Sequence, residues 1–205
     1  MAVEKLKLNK TELKAQRDGL AKYEKFLPIL QLKKLQLQIV LRQLEPRIEA
    51  RERALAEAAA AVRPWSRLLS DPEVDIHDFL AIAEVRVKED NIAGVEVPEF
   101  DEVVFQEAPY SLFATPGWLD AAVASLRELI SIREEVRVLR RREALIREEL
   151  RTTTQRCNLF EKKLIPEMKE NIRRIRIFLG DQETDAVVRA KIAKTKTQQR
   201  EGLRL

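Results

Sequence analysis

Residues 13–62 read LKAQRDGLAKYEKFLPILQLKKLQLQIVLRQLEPRIEARERALAEAAAAV. With Leu13 as heptad position a, the a positions are Leu13, Leu20, Leu27, Lys34, Leu41, Ile48, Leu55 and Val62. The d positions are Gln16, Tyr23, Leu30, Leu37, Leu44, Arg51 and Ala58. Twelve of these fifteen are apolar, and a repeat of 3.5 residues held over that length predicts a left-handed coiled-coil seam. An ordinary surface helix drifts out of a strict seven-residue repeat. The helix is expected from about residue 10 to about 65. Asn9 or Thr11 is placed to cap it, bends are expected at Pro28 and Pro46, and Pro64 marks the exit.

A second seam follows Pro116-Gly117. Position a is filled by Ala122, Leu129, Val136, Glu143, Leu150, Cys157 and Leu164, and position d by Ser125, Ile132, Leu139, Ile146, Thr153 and Phe160. Ten of these thirteen are apolar. Beyond Leu164 the phase shifts to Met168, Ile172, Ile175 and Leu179, with Pro166 at the shift, which points to a bend or a stutter. Gly180-Asp181 is expected to weaken the helix after about Leu179, and 191–205 to fray. Two such seams, similar in length and each single-sided, cover one another best as an antiparallel pair within one chain. The alternative is a parallel pairing in a dimer.

The stretch between them is different. Residues 66–116 hold Val85-Arg86-Val87 and Val95-Glu96-Val97 with Asn91 and Gly94 between, the pattern of a β-hairpin near 83–98. Val103-Val104-Phe105 reads as a third strand or a docking loop. Seven of the eleven aromatics lie in or beside this stretch: Trp65, Phe79, Phe100, Phe105, Tyr110, Phe113 and Trp118. The fold class expected is mainly α: a long antiparallel two-helix coiled coil with a small acidic mid-chain unit containing a β-hairpin. The chain divides into 1–65, 66–116 and 117–205. At 1.5 Å per residue the coil would run roughly 80 Å.

Composition agrees. Charged residues make up 35% of the 205 residues and aromatics 5%, with 5 glycines, 1 cysteine and 1 histidine. One cysteine excludes an internal disulfide, and one cysteine with one histidine excludes the usual four-ligand Cys/His zinc site. No stretch approaches the roughly 20 apolar residues of a membrane span, and MAVEKLKLNK has no apolar signal core, so a cytoplasmic chain without direct membrane insertion is expected. The net charge of +4 is unevenly spread. Residues 1–34 carry nine Lys/Arg and four Asp/Glu, residues 186–205 six and one, and residues 66–116 three and twelve. A folded-back coil would gather both basic ends at one tip and put the acidic unit at the other.

Catalytic constellations are missing. His77 is flanked by Asp75 and Asp78 but has no nucleophile or second histidine beside it, so a surface histidine is the better reading. Cys157 at a core position reads as a small hydrophobe. Neither GxxxxGK[ST] nor GxGxxG occurs, and no cofactor or metal is expected. Arg137, Arg140, Arg141 and Arg142 stand among Glu134, Glu135 and Glu143 at helical spacing, which reads as an ion-paired face rather than a phosphate site. Nucleic acid is not the expected partner, because the aromatics lie in the acidic part. Thr152-Thr153-Thr154-Gln155-Arg156-Cys157-Asn158 is polar where a plain coil needs no polarity. Only Thr153 and Cys157 fall on the seam, leaving Thr152, Gln155, Arg156 and Asn158 free to face outward.

The run TTTQRCNLFEKKLIPEMKENIRRIRIFL (152–179) resembles the signature of the D subunit of V-type and A-type rotary ATPases. The matching positions are Thr153, Thr154, Gln155, Arg156, Asn158, Ile165, Pro166, Asn171, Ile172 and Ile175. NIAGVEVPEF (91–100) is similar to the family's mid-chain hairpin, and NKTELKAQRDGL (9–20) to its opening helix. The resemblance implies a central-stalk rotor subunit with no catalytic residue of its own. Its coiled coil would project into a hexameric ring of A and B subunits. Its middle would lie near the F subunit and dock on a funnel-shaped subunit close to the membrane, coupling ATP hydrolysis or synthesis to proton or sodium transport. The machine's soluble sector is cytoplasmic and peripheral to the membrane. The candidate partner contacts are Thr153, Thr154, Gln155, Arg156, Asn158, Asn91 and Gly94. The candidate seam core is Leu13, Leu20, Leu27, Leu30, Leu37, Leu41, Leu44, Leu129, Val136, Leu139, Leu150 and Leu164. A free-standing coiled-coil scaffold is the alternative; it explains the heptads but neither the hairpin motif nor the polar signature.

Overall fold

The protein is described by a computed structural model over residues 6–70, 76–107 and 115–202. Tyr110, Phe113 and Asp75, singled out above, lie outside the described residues. Helix α1 spans Lys10–Val62, a 3₁₀ segment Arg63–Ser70 and α2 His77–Leu80. Strands β1 (Ile82–Ile92) and β2 (Val95–Phe105) follow. Helix α3 is Leu119–Leu159, a π-turn occupies Phe160–Leu164, and α4 is Ile165–Gly202. Asn9 caps α1: its Oδ1 accepts the Glu12 N–H at 2.7 Å, a contact stabilising by about 1 kcal/mol. α1 is continuous across Pro28 and Pro46, both exposed, so each removes one rung from the ladder without ending the helix. α4 does not stop near Leu179. It continues through Gly180-Asp181 to Gly202, across the stretch beyond 191 where the sequence predicts fraying. A single helical glycine costs only about 1 kcal/mol against alanine, and strong helix formers follow it.

The chain separates into two compact units, Lys33–Thr153 and Met1–Leu32 with Thr154–Leu205. In the first, α1 and α3 run antiparallel: Lys33 pairs with Glu149 at 2.7 Å and Arg51 with Glu135 at 2.9 Å. Leu37, Leu41, Leu44 and Ile48, spaced by four, three and four residues, bury against Leu139, Ile146 and Val97. Each fully buried side chain of this kind contributes about 1.5–3 kcal/mol. A second cluster joins Ile76, Leu119, Ala122 and Val123 to Trp65, Leu69, Phe79 and Trp118.

The hairpin is longer than 83–98. β1 pairs antiparallel with β2 from Ile92↔Val95 out to Ile82↔Phe105. Val103-Val104-Phe105 is therefore the end of β2, neither a third strand nor a docking loop. The two turn residues Ala93 and Gly94 have φ of 52° and 77°, as a two-residue type I′ turn requires, and the Gly94 N–H donates to Asn91 Oδ1 at 2.9 Å. Arg127 on α3 holds the open end. Its Nε and Nη2 donate to the Phe79 carbonyl at 3.0 and 2.8 Å, and its guanidinium lies 5.0 Å from the Phe105 ring centroid.

In the other unit α1 meets the π-turn and α4, again antiparallel. Lys10 pairs with Glu183, and Glu24 with Lys169 at 3.0 Å. Asn171 Nδ2 donates to Gln16 Oε1 at 3.5 Å, and the Tyr23 and Phe160 rings pack at a tilt of 58° with centroids 4.8 Å apart. Ile172 and Ile175 are buried. Gly19 marks a close approach, since a Cβ there would stand 2.9 Å from Met168 Cε.

Candidate partner interface

The seam positions named from sequence divide by burial. Leu37, Leu41, Leu44 and Leu139 are buried; Leu13, Leu20, Leu27, Leu30, Leu129, Val136, Leu150 and Leu164 are half-buried. The polar signature splits along the same seam. Thr153 is 1% exposed and Cys157 4%; the Thr153 hydroxyl donates to Glu149 Oε1 at 3.5 Å. Thr154 is half-buried, while Gln155, Arg156 and Asn158 are exposed. Asn91 and Gly94 are also exposed, but they belong to the hairpin turn in the other unit, where the Asn91 oxygen is engaged by the turn itself.

Arg156 stands over an apolar groove. Gly19, Lys22, Tyr23, Phe26, Ile29 and Leu30 of α1 line it together with Arg156 and Phe160, enclosing about 500 Å³. Phe26 and Ile29 are more than half exposed. Nothing in the heptad pattern marks this groove. Phe26 and Ile29 fall outside a and d, and their off-seam hydrophobicity is the one sequence signal that points to it.

Of the four clustered arginines of α3, Arg137, Arg140 and Arg142 are engaged in ion pairs, and Arg141 is exposed. Arg137 pairs with Glu134 at 3.3 Å and Arg140 with both Glu52 (2.6 Å) and Glu143 (3.0 Å), while Arg142 reaches Asp90 of β1 at 2.8 Å. Hydrogen bonds that the Arg140 guanidinium donates to Glu52 and then to Glu143 raise it above its ordinary value. Glu134, Glu135 and Glu143 are buried, which the sequence does not show for the first two. Each pairs with an arginine: Glu134 with Arg133 and Arg137, Glu135 with Arg51, and Glu143 with Arg140 and Arg147, so the buried carboxylates are satisfied. His77 is exposed at the start of α2. Among the described residues no group of three or more His, Cys, Asp or Glu is arranged to hold a metal ion, and no helix is long and apolar enough to cross a membrane.

The fold and these surfaces define an antiparallel coiled-coil protein that carries a docked β-hairpin and an exposed polar signature. Residues 12–195 match the family model described as the ATP synthase D subunit. A V-type ATP synthase D subunit of Borreliella burgdorferi is 38% identical over 191 residues, covering 93% of this chain and 94% of the relative. Those of Chlamydia felis (38% identical, 95% of both chains) and Chlamydia trachomatis (37% identical, 95% of this chain and 97% of the relative) match over 197 residues each. The chain belongs to the ATP synthase D-subunit family.

Proposed function

We propose that the chain is the central-stalk rotor shaft of a V-type rotary ATPase, carrying torque between an A/B ring and an ion-transporting membrane ring and doing no chemistry itself. The observation that carries this is the antiparallel seam joined to full-length similarity with V-type ATP synthase D subunits. A shaft needs stiffness, and close-packed supercoiled helices supply it. The expected partners are the F subunit, the A/B ring and the funnel-shaped subunit near the membrane, with the chain peripheral to the membrane.

The basic ends support an electrostatic contribution to assembly. Lys7, Lys10, Lys191, Lys194 and Lys196 are exposed, and Lys5 lies outside the described residues. Long-range attraction from such a cluster helps a shaft find an acidic surface without tight contacts.

The test is reconstitution with the A, B and F subunits and the membrane sector. The wild-type chain is expected to co-purify and to support ATP-driven ion transport. Replacing Gln155 and Arg156 together by alanine is expected to lower transport per ATP hydrolysed. Full coupling in that variant would sink the assignment of those two residues, and failure of the wild type to assemble would sink the rotor reading. Charge reversal at the five exposed lysines should weaken assembly at low salt; unchanged assembly there would remove the electrostatic contribution.

A further inference from the structure

The seam changes phase once, and the structure shows where the difference goes. Cys157, Phe160 and Leu164 follow at heptad spacing. The next heptad position is 167, yet Glu167 is exposed and Met168 is half-buried, followed by buried Ile172 and Ile175. One residue is therefore extra. A π-turn holds one residue more than an α-turn. Phe160–Leu164 forms one, with the Ile165 N–H bonded to the Phe160 carbonyl five residues back. The ladder defect and the phase shift cancel. In an unbroken α-helix the extra residue would turn α4 by about 100° and carry Ile172 and Ile175 away from α1.

Three features make this turn the compliant place in its unit. Pro166, just beyond it, offers no N–H, so a rung is missing there. The apolar groove beside Phe160 leaves space that a close-packed core lacks. Beyond the turn, the tight Gly19–Met168 approach holds α4 to α1. We infer that Phe160–Leu164 is a torsional joint. Its stored residue lets α4 twist against Thr154–Leu159 by exchanging i→i+5 for i→i+4 bonds while the seam stays engaged. The inference rests on the rotor reading and adds to it the point at which the shaft yields.

Deleting Lys162, which is exposed within the turn, tests this. The deletion shortens the interval from Phe160 to Met168 from eight residues to the seven of a heptad, at the cost of moving half-buried Leu164 one position off the seam, and removes the need for the π-turn. In the full chain the melting midpoint should hold or rise. The same deletion at Arg173, in regular helix, should lower it by turning Ile175 off the seam. Amide exchange over 161–168 should be at least tenfold faster than over 173–179 in the wild type, and deletion of Lys162 should slow it to the level of 173–179. In the reconstituted complex, the Lys162 deletion should reduce ATP-driven turnover at least threefold. If that deletion destabilises as much as the one at Arg173, or leaves exchange unchanged, the joint is refuted. Unchanged turnover refutes its role in the shaft. Loss of turnover with the wild-type chain counts against the rotor reading instead, while the exchange result still decides the joint.

Discussion

Val97 is the one hairpin residue buried to 1%, and it belongs to the main cluster with Leu37, Leu41, Leu44, Ile48, Leu139 and Ile146. Val97→Ala removes two methyl carbons from this contact. At about 0.8 kcal/mol per carbon the transfer loss is about 1.6 kcal/mol. A cavity contribution brings the cost to about 2–3 kcal/mol where the helices hold their positions. If the hairpin opens as a local unit, its amides from Val85 to Val103 should exchange roughly 30- to 150-fold faster, at about 1.4 kcal/mol per factor of ten. Helical circular dichroism should change little at the same temperature. Val87→Ala is the internal control: the same residue type in the same hairpin, but 42% exposed, so its effect should stay within about 0.5 kcal/mol. Hydrogen exchange by mass spectrometry on the three chains decides the matter. Equal effects of the two substitutions, or unchanged exchange in Val97→Ala, would refute Val97 as the anchor of the hairpin.

Gly94→Ala should destabilise the hairpin by about 1–2 kcal/mol, because at φ 77° the cost is backbone strain and the space around it is open; a shift in the urea midpoint reads it. Glu143→Leu should hold stability or raise it modestly, since it replaces a buried carboxylate at a seam position with an apolar side chain and leaves only the solvent-exposed Arg140 and Arg147 heads unpaired with it. Removing Arg140 and Arg147 together, which leaves the Glu143 carboxylate buried and unpaired, should cost about 3–5 kcal/mol by denaturant titration. The Arg151 hydrogen bond holds the Glu148 carboxyl below its ordinary value. That contribution is therefore present above the usual carboxylate range and is lost as pH falls through the depressed value. The stability difference between wild type and Glu148→Gln should close on acidification, and a difference that grows instead would reverse the sign.

The helices and their seams are legible because heptad spacing is a long-range signal: most a and d residues repeat the same statement. The hairpin is legible at its turn, where Gly94 supplies a positive φ, but not along its length. β1 is largely exposed and β2 mostly half-buried, with Val97 the one fully buried strand residue, so Phe100–Phe105 has no clean alternation to extend the pattern. The end of α4 escapes the hydropathy pattern for a related reason. Residues 181–198 are exposed throughout, and helix there is set by backbone propensity rather than by burial, which hydropathy does not register. The candidate site is legible only as exposed polarity at Gln155, Arg156 and Asn158. The groove beside Arg156 depends on Phe160 and α1 residues far away in sequence.

Buried charge and phase show the same limit in opposite directions. Glu134 and Glu135 look like solvated surface because hydropathy assigns carboxylates to water. They are buried with their charge met by Arg133, Arg137 and Arg51, and a long arginine stem can lie along apolar surface while its head stays in water. The interval from Leu164 to Met168, by contrast, states the anomaly plainly: one residue too many. Sequence leaves three ways to absorb it, namely a bend, a change of supercoil or a wider helical turn. A bend or local unwinding spreads the mismatch over the neighbouring seam and loosens several contacts, whereas a π-turn confines it to five residues. Ile172 and Ile175 stay buried directly beyond Pro166, so the contacts on the far side keep full packing. Confinement has a mechanical consequence: whatever twist the two-helix seam resists elsewhere is concentrated at Phe160–Leu164, immediately next to the polar signature at Gln155, Arg156 and Asn158.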